Sequence, residues 1–226
     1  MRSALTEIIE TERERFGIPG CAAVVIAYGK PVLCAGFGLR DAGRELPVTT
    51  RTLFPIASAT KTFTAALCAL LAADGLLDLD RPAREYLPSL RLDGRDVTVL
   101  DMLVHRAGLS RHDLLWYTAP AGVTREELIG ALAHLTPNLP LRSRWQYNNM
   151  LYLTAGYLAG SVSGASFEEA LTSRILDPLG MTRTCLSVAE VEADPDSAVP
   201  YVCPGPDAAV VPVPPADMDL IGPAGG

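Results

Sequence analysis

The sequence has few of the features that direct a protein to a nucleic acid or into a membrane. Against 26 Asp and Glu residues stand 19 Lys and Arg residues, a formal net charge of −7, and no basic cluster is long enough to follow a phosphate backbone. The longest uncharged and mostly apolar run, residues 62–73, falls short of the roughly 20 residues that a membrane-spanning helix needs. We therefore expect neither a nucleic acid nor a membrane among the partners.

The N-terminus also lacks an apolar segment of the kind found in secretory signals. Its first five residues run directly into a series of glutamates. The expectation is a cytoplasmic protein, or a secreted or periplasmic one whose signal was removed.

Metal-binding and disulfide frameworks are absent from the pattern of cysteines and histidines. The five cysteines show no C-x-x-C spacing and stand mostly among Ala, Val and Leu, and the three histidines have no ligand spacing with them. This pattern favours reduced thiols that serve as small buried apolar side chains. We expect no metal and no cofactor.

What the sequence does contain indicates a folded protein with a substantial core, since hydrophobic residues make up 49% and charged residues 20%. Apolar residues repeat with helical period over residues 4–16. Two β-rich runs, 21–27 and 31–37, flank Tyr28-Gly29-Lys30 and predict a hairpin. A buried helix is predicted over 59–73, beginning at or just before the preceding serine and ended by an Asp-Gly pair.

Three segments are predicted along the chain. Residues 1–75 would form part of an α/β lobe with an antiparallel sheet, and residues 76–186 an all-helical lobe. Residues 187–226 are rich in proline, so little regular structure is expected there, and the final glycine-rich residues offer no evident capping element or strand. The fold class is α+β.

Ser58 and Lys61 lie three residues apart at the start of the predicted helix. Positions i and i+3 share a helix face, so the hydroxyl and the ammonium can touch. The helix dipole favours a developing alkoxide, and a lysine in an apolar cavity can lose its proton and act as a base. The alternative is an N-cap serine followed by a solvated lysine. The pair is a candidate nucleophile and base.

Short motifs surround this pair in a characteristic order. They are Ile18-Pro19-Gly20, Gly36-Phe37-Gly38, Thr52-Leu53-Phe54, residues 57–62, residues 75–80, Tyr86-Leu87-Pro88, residues 103–109 and Tyr147-Asn148-Asn149. With them the chain resembles the serine β-lactamase and penicillin-binding-protein superfamily, in particular the class C-like branch with D-aminopeptidases and esterases. The resemblance extends over essentially the whole chain. It implies a mixed α/β lobe with an antiparallel sheet, a helical lobe, and an acyl-enzyme mechanism.

The resemblance also implies roles for particular residues. Ser58 would be the acylated nucleophile, Lys61 its activator and Tyr147 the second member of the base pair. A phenol, with an ordinary pKa of about 10, can relay a proton only if nearby cations lower that value, and Lys61 would supply the field. Considered alone, the Tyr-x-Asn segment is more typical of a helix start, and its placement after the Ser-x-x-Lys pair favours the catalytic interpretation.

Three residues are candidates for substrate contact. Asn149 would contact the substrate's amide, as the resemblance implies. Trp116 and Tyr117 belong to an aromatic and aliphatic run that is expected to line the mouth of the site, with plain packing as the alternative. The substrate would be a small molecule or peptide with an amide or ester bond.

The histidines carry weaker signals. His105 is expected to form a hydrogen bond within the helical lobe rather than to take part in catalysis, because Lys and Tyr already fill the activating role. The pair His112-Asp113 permits a triad with Ser58, although its neighbours suggest a loop instead.

The chain departs from the superfamily pattern at one point. Nothing in it matches the third motif, Lys-Thr-Gly or His-x-Gly, and the C-terminal strands of the sheet are also not evident. We expect an N-terminal portion of a longer serine hydrolase. The alternative function is a truncated paralogue that acts as a binding module, in which the open sheet edge recruits a second copy or a complementing chain.

Overall fold

The computed structural model describes residues 2–205 and 208–225. The chain divides into two compact units, which are described separately. The first unit comprises Met1–Pro55 with Val188–Asp217, and the second comprises Ile56–Ser187 with Met218–Gly226. The three segments 1–75, 76–186 and 187–226 remain a prediction of domain boundaries.

The first unit is built on an antiparallel hairpin. Strand β1 (Gly20–Ala27) pairs with β2 (Lys30–Asp41), and a short β3 (Leu46–Pro47) pairs with the far end of β2. Tyr28 and Gly29 connect the strands with φ of 51° and 74°, and two positive φ values are typical of the turn that suits the right-handed twist of a hairpin. The predicted hairpin is confirmed.

Helix α1 (Arg2–Arg15) contacts β2, and β1 forms one edge of the described sheet. On β2 the side chains of Leu33 and Phe37 are buried. On β1, Val24 and Ile26 are 61% and 65% exposed. The edge strand therefore presents apolar side chains to solvent.

The proline-rich segment returns to this sheet with little regular structure, as predicted. It contains helix α8 (Val188–Ala193) and a two-stranded ribbon of β4 (Tyr201–Val202) and β5 (Val211–Pro212). Asp196 holds the segment in place, because its carboxylate accepts hydrogen bonds from Thr49 Oγ1 at 2.8 Å and Thr52 Oγ1 at 2.7 Å.

Two apolar helices form the centre of the second unit. Helix α2 (Thr60–Ala73) packs against α6 (Asn149–Ser163), most of which is buried. The Asn148 side chain caps α6 by accepting the Leu151 N–H at 2.9 Å, and Gly164 ends the helix in the left-handed conformation.

Four shorter helices of this unit surround that pair. They are α3 (Val99–Leu103), α4 (Leu114–Tyr117), α5 (Arg125–Ala131) and α7 (Phe167–Leu171). Helices α3, α5 and α7 each begin with a capping box, in which Thr98, Thr124 or Ser166 exchanges hydrogen bonds with an acidic residue three positions later. The predicted helical character of this segment is confirmed.

The glycine-rich end of the chain does contain an element that the sequence analysis missed. Helix α9 (Gly222–Gly225) packs on α2 and α6, with Pro223 and Ala224 buried. Gly156 of α6 makes this approach feasible, since a Cβ there would lie 2.3 Å from Pro223 Cβ. Thr64 Oγ1 of α2 also donates to the Pro223 carbonyl at 2.6 Å.

The expectation of buried thiols is correct only for Cys68, and Cys34 and Cys203 are exposed. The side chains of those two cysteines point to solvent from strand β2 and from the loop after β4.

Across residues 2–205 and 208–225, no helix combines the length and apolar character that crossing a membrane requires. The same residues contain no cluster of three His, Cys, Asp or Glu side chains that could hold a metal ion.

Candidate active site

Ser58 lies in a single 3₁₀ turn, Ala57–Ala59, directly before α2. The turn begins with Ala57 at a φ of 45°, a conformation that L-residues rarely adopt and that costs about 1–3 kcal/mol. Ser58 is exposed, whereas Lys61, one turn further on, is only 7% exposed. The local sequence thus places an accessible hydroxyl above a buried ammonium.

Lys61 Nζ donates to three oxygen atoms, which matches the three hydrogens of an ammonium. The Ser58 Oγ lies at 3.3 Å and the Asn149 Oδ1 at 2.8 Å. The third acceptor is the carbonyl of Ala224 in α9. The cation is therefore held by the start of its own helix, by α6 and by α9.

Tyr147 completes the group around Ser58. Its hydroxyl lies 2.6 Å from Ser58 Oγ, and its ring centroid lies 4.6 Å from Lys61 Nζ. The structure thus brings together four of the six site residues predicted from the sequence, namely Ser58, Lys61, Tyr147 and Asn149.

His105 holds the segment that carries Tyr147. Its Nδ1 accepts the Asn148 N–H at 3.1 Å, and its carbonyl accepts the Gln146 N–H at 2.8 Å. The rings of His105 and Tyr147 pack with their centroids 4.7 Å apart. Burial and the charge of Lys61 lower the pKa of His105 to about 4, so the imidazole is neutral and can accept at Nδ1. This is the structural role that the sequence analysis expects.

The electrostatics of the site lower the pKa of both Lys61 and Tyr147. Burial lowers the pKa of Lys61, partly offset by the nearby Tyr147 hydroxyl. Burial acts to raise the pKa of Tyr147, but the adjacent Lys61 ammonium, the hydrogen bond with Ser58 and the charge of Arg111 lower it overall. Such a pair is suited to accepting a proton from Ser58.

Asp113 and Arg111 join the site; Asp113 was weighed only as part of a triad with His112, and Arg111 was not predicted to lie there. Asp113 Oδ1 accepts from Asn149 Nδ2 at 3.0 Å, and Arg111 lies over the Tyr147 ring at 5.1 Å. The triad weighed for Ser58 and His112-Asp113 does not form, because His112 Nε2 is hydrogen-bonded to Ser110 Oγ at 2.9 Å.

Trp116 and Tyr117 lie on α4. Trp116 is half-buried and donates from Nε1 to Asp113 Oδ1 at 3.3 Å, while Tyr117 is exposed and stacks on Trp116 at 4.1 Å. An open depression of about 480 Å³ beside α4 is lined by His112, Leu114 and other residues, but not by these two aromatics. Substrate contact by Trp116 and Tyr117 stays a prediction.

A Ser-x-x-Lys pair at a helix start, a tyrosine hydrogen-bonded to that serine and a mixed α/β fold define a protein of the serine β-lactamase and penicillin-binding class. The Beta-lactamase family model matches residues 5–226, and the chain belongs to this family. The superfamily and fold class expected from the motifs are therefore confirmed.

Individual relatives agree with this assignment. The unguisins hydrolase ungD' of Aspergillus campestris is 29% identical over 201 residues, which are 83% of this chain and 37% of that protein. A solved class C beta-lactamase is 27% identical with a TM-score of 0.83, over 99% of this chain and 59% of that one.

A penicillin-binding protein homologue from Pyrococcus abyssi, described as octameric, is 30% identical with a TM-score of 0.81, over 94% of this chain and 50% of that one. The chain thus spans between about a third and about three fifths of the length of these proteins.

Proposed function

We propose that the protein is a serine hydrolase that forms an acyl-enzyme on an amide or ester carbonyl. One observation carries this proposal: Ser58 Oγ lies 2.6 Å from Tyr147 OH and 3.3 Å from Lys61 Nζ. Relatives named as β-lactamases and hydrolases support the reaction class. Because the chain spans only part of its relatives, the proposal covers the activity of the whole protein.

The reaction would proceed in two halves. Ser58 Oγ attacks the carbonyl carbon and forms the new C–O bond of a tetrahedral intermediate, while its proton passes to the deprotonated member of the Tyr147–Lys61 pair. The pair then gives that proton to the leaving nitrogen or oxygen as its bond to carbon breaks, leaving Ser58 esterified. Water then attacks the acyl ester and gives its proton to the same pair. The pair returns a proton to Ser58 Oγ as the ester bond breaks and the acid is released.

The choice of substrate does not follow from the fold, because one fold hosts many hydrolytic and transfer reactions. The proposal therefore names the bond that is cleaved and includes peptides, β-lactams and simple esters. No metal or cofactor enters the steps above.

The alternative function, a binding module, is favoured by the apolar edge of the sheet. Val24 and Ile26 on β1 are exposed, and an exposed strand edge can pair with another strand. In that alternative the chain would bind a ligand or a partner without catalysing a reaction.

Labelling with a fluorophosphonate and with a fluorescent penicillin tests the hydrolase proposal. We expect one adduct, mapped by peptide mass spectrometry to Ser58, and no adduct in Ser58→Ala. The matched control is Ser110→Ala, a serine of the same unit whose hydroxyl faces His112 rather than Lys61, and it should label like the unaltered chain. Label on another serine, or undiminished labelling of Ser58→Ala, would refute the assignment.

A further inference from the structure

The Asn149 amide must point its oxygen, not its NH₂ group, toward Lys61, because an ammonium can only donate hydrogen bonds. An amide has an acceptor end and a donor end that are almost the same in shape, so a rotation of 180° would turn its NH₂ group toward the ammonium. In the structure Oδ1 lies 2.8 Å from Lys61 Nζ and Nδ2 lies 3.0 Å from Asp113 Oδ1. Some group must select this orientation.

Asp113 has the chemistry to do so. An ionised carboxylate only accepts hydrogen bonds, so it can pair with the donor end of the amide and not with the acceptor end. It comes from a loop 36 residues before Asn149 in the sequence and accepts from Nδ2, whereas Lys61 donates to Oδ1 of the same amide. Its side chain is only 20% exposed, which limits competition from water.

The Asp113 carboxylate is itself fixed from two further directions. Trp116 Nε1 donates to Oδ1 at 3.3 Å, and Arg111 Nε donates to Oδ2 at 2.7 Å. Arg111 and Trp116 stand two residues before and three residues after Asp113, so one short segment supplies the carboxylate and both groups that hold it.

We propose that Asp113 is a positioning residue, which orients the Asn149 amide so that its oxygen holds the Lys61 ammonium beside Ser58. The kinetic part of this inference rests on the proposed function, whereas the orientation of Asn149 does not. Asp113 acts through Asn149 and makes no contact with Ser58 among the hydrogen bonds of the described residues.

The charge of Asp113 supports the same role. It partly offsets Arg111, whose guanidinium lies over the Tyr147 ring and acts to lower the pKa of Lys61, while Asp113 acts to raise it. Loss of Asp113 would leave Arg111 without this partner near a second cation. The ammonium would then lose both an oriented acceptor and a compensating charge.

A first experiment needs no enzymatic activity. The side-chain amide protons of Asn149 are observed by ¹H–¹⁵N NMR on the 226-residue chain and assigned by their loss in Asn149→Ala. In Asp113→Ala we expect their exchange with solvent to accelerate by about tenfold or more, because the hydrogen bond to the carboxylate is gone. If Asp113→Ala does not fold, Asp113→Asn replaces it and should move the same signals in the same direction.

Asp96→Ala is the matched control. Asp96 pairs with Arg84 Nε at 2.7 Å, the same length as the pair of Arg111 and Asp113, but neither residue lies among the contacts of the site. The Asn149 signals should not change in this variant. Unchanged Asn149 signals in the Asp113 variants would overturn the inference.

A second experiment measures the rate at which fluorophosphonate labels Ser58. Asp113→Ala should lower this rate about 10- to 100-fold, the scale expected when a reacting group is misplaced. In an Asn149→Ala background the same substitution should lower the rate by clearly less, because only the charge contribution of Asp113 is then left to lose. An equal loss in both backgrounds would show that Asp113 does not act through Asn149. Absence of label on Ser58 in the unaltered chain would refute the proposed function, while the NMR measurement would still decide the orientation of Asn149.

Discussion

Substitution of Gly156 by alanine should disturb the active site from inside the core. The added Cβ would lie 2.3 Å from Pro223 Cβ, 2.9 Å from Pro223 Cγ and 3.2 Å from Phe167 Cδ2. Real Cβ contacts are longer, so α9 must move away from α6. Overpacking of this kind costs about 1–3 kcal/mol.

The matched control is Gly130→Ala. Gly130 also lies in a helix, α5, and a Cβ there would meet nothing within 4 Å. Both substitutions gain the helix propensity of alanine, about 1 kcal/mol, so this contribution cancels in the comparison. In urea denaturation the free energy of unfolding of Gly156→Ala should be lower than that of Gly130→Ala by about 1–3 kcal/mol.

The same substitution should slow the chemistry at Ser58. Movement of α9 withdraws the Ala224 carbonyl from Lys61, and the rate of fluorophosphonate labelling should fall by about tenfold or more. Gly130→Ala should label at the unaltered rate. If Gly156→Ala matches Gly130→Ala in both stability and labelling, then the position of α9 does not hold Lys61 beside Ser58.

Three further predictions concern the site and the sheet. Lys61→Ala and Tyr147→Phe should each lower the rate of labelling at Ser58 by about 10² or more, with unchanged circular dichroism, and full activity in either would exclude it as a base. Labelling of Ser58 should rise with pH, because Lys61 or Tyr147 must lose a proton to act as the base. The charge of Arg111 acts to lower the pKa of both residues, so Arg111→Gln should move this rise to higher pH, and a shift to lower pH would contradict the prediction. We also propose that the chain self-associates through β1, so that Val24→Lys with Ile26→Lys should give a smaller sedimentation coefficient, and an unchanged distribution would exclude that edge.

The parts of the fold that are specified locally could be predicted from the sequence. The hairpin follows from a turn at Tyr28 and Gly29 between two β-rich runs, and α2 follows from its apolar period and the glycine at its end. The pair of Ser58 and Lys61 is also local, since i and i+3 positions of a helix meet in any context.

The parts that depend on distant contacts could not be predicted in this way. Asp113 pairs with Asn149 across 36 residues, and nothing in the sequence around Asp113 marks it as a partner for an amide. Helix α9 reads Gly-Pro-Ala-Gly, and glycine and proline are the poorest helix formers. The position of α9 depends on the close contact between Pro223 and Gly156, and this contact exists only in the folded core.

The three acceptors of Lys61 make the reactivity of Ser58 conditional on a finished fold. Two of them lie 88 and 163 residues further along the chain, and they meet the ammonium only when α6 and α9 have packed on α2. During synthesis, while the chain up to α2 has emerged and α6 has not, Ser58 has Lys61 nearby but lacks Tyr147, and Lys61 lacks the acceptors on Asn149 and Ala224. Under the proposed function, the geometry with which Ser58 would attack a carbonyl carbon is therefore complete only after α6 and α9 have packed on α2.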